Sequence, residues 1–368
     1  MNRYILIHFI RLALPLFFIR ILSNNYTESD VSVWLEFLLY FQFAMQLSES
    51  GISLSGPLIL KNLGRSKSVV DRILGFQLFV GFLVLTVVLV MHTEMLNVVA
   101  VLAGIVNGIS LTWIFRFKGM HREWFLSEFG YRLSLYFFLS TGALMYLNIL
   151  LLAAMYLLVS LVWCLIIARY VYNKELTKAD VLGVGLIKHL AEGTALKYLA
   201  TALYPGLILL GDGFFNYRDI ELLKIDKLVQ AARGVFSPIV DYLFPKSIKV
   251  QLRTKTKLGI VLVGLVLSLL LVVLFPFLTR VLYGKPIHRT SFMYLYSCVP
   301  FLMSIVHTFG TFNLVINDRI KIYLTVFLFS ILGSMFFLHN GSLYSYIIFP
   351  YISMGLILTM IFIFEKYR

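Results

Sequence analysis

Asp226, Gln230, Arg233, Ser237 and Asp241 recur at intervals of 4, 3, 4 and 4 residues inside an otherwise apolar stretch. At about 100° per residue this spacing holds them within an arc of about 80° on one helix face, with Lys227 at its edge. A second stretch repeats the pattern with Gln42, Gln46, Glu49, Ser53 and Gly56. A third carries Thr194, Lys197, Thr201 and Tyr204 ahead of a bending Pro205, and the N-terminal stretch carries Arg11 and Pro15. A further apolar stretch offers Ser297, Ser304, Thr308 and Thr311. An ionisable side chain at the middle of a bilayer costs about 2.5–3.5 kcal/mol on insertion scales, so such stripes face protein or water. Arg11, Lys197, Lys227 and Arg233 could grip phosphate oxygens, which guanidinium forks and ammonium groups suit. Glu49, Asp226 and Asp241 could take up a proton or a sodium ion. Plainer roles compete. Serine and threonine on membrane helices more often bond the carbonyl four residues back or mediate packing. Asp241, Lys246 and Arg20 lie near stretch ends, where side chains snorkel to the interface. Asp226 and Lys224 also fall toward one end of theirs, where a local ion pair would serve.

The elements that must position these groups follow from composition. Of 368 residues 60% are hydrophobic, and the mean hydropathy is +0.88. A soluble domain averages roughly 45–50% apolar residues, so the solvent for this chain is lipid. Continuous runs such as Val261–Phe275 lack the alternation of a membrane β-barrel and read as helices of about 20 residues. Twelve spans are expected: 4–22, 32–59, 73–92, 96–115, 131–148 and 150–169, then 190–210, 222–244, 258–282, 292–316, 321–339 and 343–364. The fold class is therefore all-α integral membrane protein, with loops too short for a soluble catalytic domain. The N-terminal run has no small-residue cleavage site after Ile21 and reads as a retained first span. Cys164 and Cys298 fall inside spans and read as small packing residues, and no cysteine–histidine metal spacing occurs.

The formal charge of +14 would suit nucleic acid, but its placement argues for membrane topology. With the N-terminus inside, twenty-two Lys and Arg fall on the inner side, among them Arg116, Lys118 and Arg122 before the fifth span and Arg132 at its start. Only Arg218, Arg280, Lys285 and Arg289 fall outside. That bias places both termini in the cytoplasm. The polar segment 170–189 divides the chain into a six-span bundle, 1–169, and a second, 190–368. Even counts make the halves run in the same direction, a plan in which substrate sits between two lobes.

Three stretches carry a resemblance to a known family. TWIFRFKGM, Thr112–Met120, resembles the end of the fourth helix in the Wzx-type polysaccharide flippases of the MATE-like (MOP) superfamily, although Arg116 and Lys118 depart from it. DKLVQAARGVFSPIVDYLFPKSIK, Asp226–Lys249, is similar to that family's eighth helix. Asp226, Lys227, Ser237, Pro238, Phe244, Pro245, Lys246 and Ser247 match. ESGISLSGPLILKNLGRSKS looks like the end of its second helix and the basic loop that follows.

The resemblance implies a multi-pass protein of the bacterial inner membrane that flips undecaprenyl-diphosphate-linked oligosaccharide, such as O-antigen repeat units, to the periplasmic leaflet. It implies membrane lipid, a polysaccharide polymerase and a chain-length regulator as partners, no cofactor and no enzymatic activity. The substrate contacts would be Arg11, Gln42, Gln46, Glu49, Lys197, Lys227, Gln230 and Arg233, and the ion-coupling candidates Glu49, Asp226 and Asp241. Two alternatives stay open: a membrane glycosyltransferase or polysaccharide polymerase, whose only acidic outer cluster would be Glu28 and Asp30, and a small-solute or drug exporter of the same superfamily.

Overall fold

The computed structural model describes residues 2–52, 67–90, 94–117, 120–174, 194–195, 197–199, 201, 220–234, 254–285, 291–315, 320–339 and 343–367. They are helical almost throughout. In chain order the helices are α1 (Asn2–Asn25), α2 (Glu28–Glu49), α3 (Lys67–Val90), α4 (Met95–Gly108), α5 (Thr112–Phe117), α6 (His121–Leu144) and α7 (Ile149–Lys174). There follow α8 (Ile220–Gly234), α9 (Thr254–Tyr283), α10 (Ser291–Ser297), α11 (Val299–Ile305), a π-helix (Val306–Val315), α12 (Ile320–His339) and α13 (Leu343–Tyr367). Among the described residues, six helices or helical runs are long and apolar enough to cross a membrane: Lys67–Val90, Met95–Phe115, Ile149–Asn173, Thr254–Tyr283, Met293–Gly310 and Tyr346–Ile363. Phe79, Phe82, Leu158, Leu165, Leu262, Leu269 and Phe277 stand exposed along three of them. Apolar side chains turned outward in such numbers need hydrocarbon around them.

The chain divides into two compact units. One is Met1–Arg3 with Ala13–Gly206, and the other is Tyr4–Leu12 with Leu207–Arg368.

In the first unit, α2 starts at a capping box. The Thr27 hydroxyl accepts the Asp30 amide at 3.2 Å while the Asp30 carboxylate accepts the Thr27 amide at 3.2 Å. The acidic pair Glu28 and Asp30 is thus the first turn of a helix, and Asp30 is committed to closing it. The core of the unit is the seam between α2 and α4. A Cβ added to Gly104 would lie 2.8 Å from Ala44 Cβ, and one added to Gly108 would lie 2.7 Å from Met45 O. Two glycines four apart bring the helix backbones into contact, as small residues do where lipid supplies no hydrophobic drive. Aromatic rings of Phe18, Trp34, Phe37, Phe41 and Tyr156 fill the neighbouring layer between α1, α2 and α7. Gly104→Val or Gly108→Val is expected to destabilise by at least about 1–3 kcal/mol, because the obstruction is backbone that cannot rotate away. Gly75→Ala, which would meet nothing within 4 Å, is expected to be neutral or stabilising. Thermal unfolding in detergent separates the two classes.

In the second unit, α8 packs on α9, α10 and α11, and α12 lies along α13. The tenth expected span is broken into α10, α11 and the π-helix. Pro300 opens α11, and the amide of Phe301, a first-turn donor without an intrahelical partner, donates to Ser268 Oγ on α9 at 3.0 Å.

Three expectations need correction. The second span was expected to run to 59, but α2 stops at Glu49. Ser50 at φ 50° and Gly51 at φ 67° turn the chain left-handed and end the helix. The fifth span was expected to start at 131, but α6 begins at His121, ten residues earlier. Its polar first half had pulled the apolar window toward the C-terminal end. Arg132, counted among the inner-side charges, therefore lies near the middle of a helix. Cys298, read as a packing residue, is exposed, and both cysteines are free thiols.

Candidate functional site

Two of the stripes read from sequence meet each other within the first unit. On α2 stand Gln42, Gln46 and Glu49, each half-buried. Against them lie the described helical residues between 194 and 201. Lys197 Nζ pairs with Glu49 Oε2 at 2.7 Å, Thr201 Oγ1 donates to Gln46 Oε1 at 3.3 Å, and Thr194 Oγ1 donates to the Ser50 carbonyl at 3.0 Å. The Tyr198 hydroxyl reaches Ser50 Oγ at 3.4 Å. Residues 194, 197, 198 and 201 share a helix face, as do 46, 49 and 50, so the register of one stripe fits the other. Gln77 on α3 braces the same corner, donating to the Glu49 carbonyl at 3.1 Å and the Gly108 carbonyl at 3.2 Å. The carbonyls that α2 leaves unpaired at its C-terminus are thereby met from α3 and from Thr194.

Lys197, expected as a substrate contact, is ion-paired with Glu49. The side chains keep 22% and 21% of their surface, so a solvated group could compete for either. Glu49→Gln and Lys197→Gln are each expected to cost about 1–2 kcal/mol, between the values of exposed and buried pairs. The double variant should lose less than the sum. A double-mutant cycle by thermal unfolding measures the coupling, and strict additivity would remove the pair from the account.

The second unit gathers the charges of α8. Asp226 is 0% exposed, and Lys224 and Lys227 are each 7% exposed. The Asp226 carboxylate accepts from the Tyr296 hydroxyl of α10 at 2.7 Å and from the Gln230 side-chain amide one turn along. Lys224 Nζ lies 5.4 Å from the centroid of the Tyr283 ring on α9, a cation–π contact. The Tyr283 hydroxyl donates to the Lys224 carbonyl at 3.4 Å. Lys227 differs from its neighbours. Its Nζ is fully buried and meets no hydrogen-bond acceptor among the described residues. Neither Asp226 nor Lys224 reaches out to the surface, as their place near a span end had suggested.

Arg11 is half-buried on α1, within the stretch that belongs to this unit. Its neighbour Leu12 touches α8, 2.8 Å from where a Cβ on Gly234 would stand, so the backbones beside Arg11 and Arg233 approach each other. The first unit thus holds Gln42, Gln46, Glu49 and Lys197, and the second holds Arg11, Asp226, Lys227, Gln230 and Arg233. Asp241, Ser237, Ser53, Gly56, Tyr204 and the match from Pro238 to Lys249 lie outside the described residues.

Sequence reading missed Tyr283 and Tyr296, which contact Lys224 and Asp226 of α8, and Tyr198 and Ser50, which join the already noted Thr194 across the first seam. Tyr296 stands beside Ser297, which was noted. A phenol in an apolar run is as informative as a serine there, because its hydroxyl needs a partner.

No family model matches the sequence, and no curated protein matches it. Solved structures do match its fold. A multidrug resistance MATE family transporter of the MOP superfamily, in an outward-facing conformation, superposes with a TM-score of 0.56 at 14% identity, over 100% of this chain and 96% of that one. A mutant of the Vibrio cholerae MATE transporter VcmN gives 0.52 at 11% identity, over 97% of this chain and 93% of that one. The chain has a MATE-like fold. It is accordingly a multi-pass membrane protein. At such low identity the likeness concerns architecture, and the chemistry of the charges has to be argued from the side chains themselves.

Proposed function

We propose that this protein is a transporter that moves an anionic lipid-linked oligosaccharide, of the undecaprenyl-diphosphate class, from the cytoplasmic to the periplasmic leaflet of a bacterial inner membrane by alternating access. The observation that carries the reading is Lys227. A buried ammonium that meets no acceptor among the described residues is costly, and such groups mark sites where a substrate supplies the missing partner. A diphosphate supplies several strong acceptors at once. Twelve spans with both termini in the cytoplasm complete the proposed topology.

In this reading Lys227, with Arg11 and Arg233, contacts the diphosphate, while Gln42, Gln46 and Gln230 offer amides to sugar hydroxyls. Lys197 becomes available only when Glu49 releases it, so proton or sodium entry at Glu49 would couple to substrate capture; Asp226 and Asp241 are the other coupling candidates. The polyprenyl tail stays in lipid, and the protein lowers the cost of dehydrating the polar head group. The polysaccharide polymerase and chain-length regulator are proposed partners.

A drug exporter is the second reading, favoured by the fold likeness to a multidrug resistance transporter. Gene deletion decides between the two. Loss of surface polysaccharide with accumulation of lipid-linked repeat units on the cytoplasmic face supports the flippase. Normal polysaccharide with heightened sensitivity to cationic drugs supports the exporter.

A further inference from the structure

Arg132 takes no part in the site above. It sits near the middle of α6, and its guanidinium carbon lies 5.3 Å from the centroid of the Tyr131 ring. Tyr131, Tyr136 on the same helix and Tyr156 on α7 are all buried. The polar groups beside it satisfy one another: the Tyr131 hydroxyl and Ser160 Oγ are 2.9 Å apart, and Asn107 Nδ2 donates to Ser160 Oγ at 2.9 Å. On the same helix, Ser134 Oγ accepts Trp163 Nε1 at 2.8 Å. The guanidinium is only partly met: it hydrogen-bonds the Tyr136 hydroxyl, but Nε is left over. Its Nε is buried and meets no acceptor among the described residues. Glu128, one turn back on α6, brings Oε2 to 4.0 Å from Nε, close enough to balance charge and too far to hydrogen-bond.

An arginine inside a helical bundle carries five donors in a planar fork matched to a carboxylate. Its neighbour at i−4 offers the right group at a poor distance. The Arg132 side chain keeps 22% of its surface and Glu128 keeps 10%, so the fork can be reached from outside the core.

We propose that Arg132 anchors a binding site in the first unit for a carboxylate ligand, with Glu128 as the counter-ion that the ligand displaces. The inference stands apart from the flippase reading, since it uses neither α8 nor the Glu49–Lys197 pair. The titratable and charged groups around the guanidinium are Glu128, Tyr131 and Tyr136 from α6 and Tyr156 from α7; α4 contributes the neutral Asn107. With Glu128 ionised the site is already balanced, so an incoming carboxylate binds best when Glu128 is neutral.

The test uses the full-length protein in detergent, with sodium acetate as probe, acetamide as its uncharged isostere and sodium chloride as the halide control. Ligand-induced rise in the unfolding temperature is the readout. Acetate is expected to stabilise wild type, while acetamide and chloride do not. Glu128→Gln is expected to tighten acetate binding about tenfold, since a competing charge is gone. Arg132→Lys keeps the charge and loses the fork, and is expected to weaken it at least about tenfold. Equal effects of acetate and acetamide, equal effects of acetate and chloride, unchanged affinity in Arg132→Lys, or unchanged affinity in Glu128→Gln would each overturn the assignment.

Discussion

Lys227→Gln is expected to slow transport of a diphosphate-linked oligosaccharide by about 10–100-fold while raising the stability of the protein. The two signs come from one fact, that Nζ is buried and finds no acceptor among the described residues. In the resting protein this is a cost, because a charge removed from water without a hydrogen-bonding partner is strongly disfavoured. Removing it relieves that cost, and a gain of about 1–2 kcal/mol is in the range of favourable single substitutions. During transport the same ammonium would meet phosphate oxygens, and a charge-assisted hydrogen bond contributes about 1.5–3 kcal/mol. That corresponds to about 10–100-fold in affinity. Lys227→Arg should keep much of the transport, since it keeps the charge. Proteoliposomes carrying a fluorescent undecaprenyl-diphosphate trisaccharide, read by accessibility to an external lectin, give the rate; thermal unfolding gives the stability. Wild-type transport by Lys227→Gln would remove the anion-anchor role. A destabilised Lys227→Gln would mean that the lysine is structurally paired after all.

The all-helical, membrane-spanning character was legible in sequence because lipid imposes one requirement, a long apolar helix, and leaves a continuous run as its trace. α9 illustrates this, expected at 258–282 and found at Thr254–Tyr283. α6 shows the limit. Its first half carries Arg122, Glu123, Ser127, Glu128 and Arg132, which a protein interior can absorb and a hydropathy window cannot. The end of α2 was hidden differently. The polar run Ser48–Gly51 carries a Ser-Gly turn signal that was outweighed by the apolar residues on either side; Gln77 and Thr194 then cap the ending from other helices. For the site, spacing identified which residues share a face but not what they face. The stripes of Gln46–Glu49 and Lys197–Thr201 were read separately as lining water, whereas each is largely the other's partner. Sequence periodicity fixes direction around one helix axis and carries no information on which two axes meet. The buried Lys227 Nζ and Arg132 Nε, which meet no acceptor among the described residues, could not have been found this way, since an unmet donor is defined by its neighbours.

Asp226→Ala is expected to destabilise by about 3–5 kcal/mol, the range for removing one partner of a buried charged network. The carboxylate is 0% exposed and accepts from Tyr296 and Gln230, so alanine removes the acceptor that both of these donors use. It also strands Lys224 and Lys227 without the adjacent negative charge. Asp226→Asn keeps one carbonyl acceptor and should cost much less, and Tyr296→Phe should cost about 1 kcal/mol, as for a single hydrogen bond. Unfolding in detergent ranks the three. If asparagine proves as damaging as alanine, charge rather than hydrogen bonding holds α8 against α10. The ranking also bears on coupling. The Asp226 carboxylate is closed off from solvent beneath a phenol and an amide, whereas the Glu49 carboxylate beside Lys197 keeps about a fifth of its surface. Of the two, Glu49 is the better placed to exchange protons during a transport cycle. Asp226→Asn should therefore retain any dependence of transport on a proton gradient, and Glu49→Gln should abolish it.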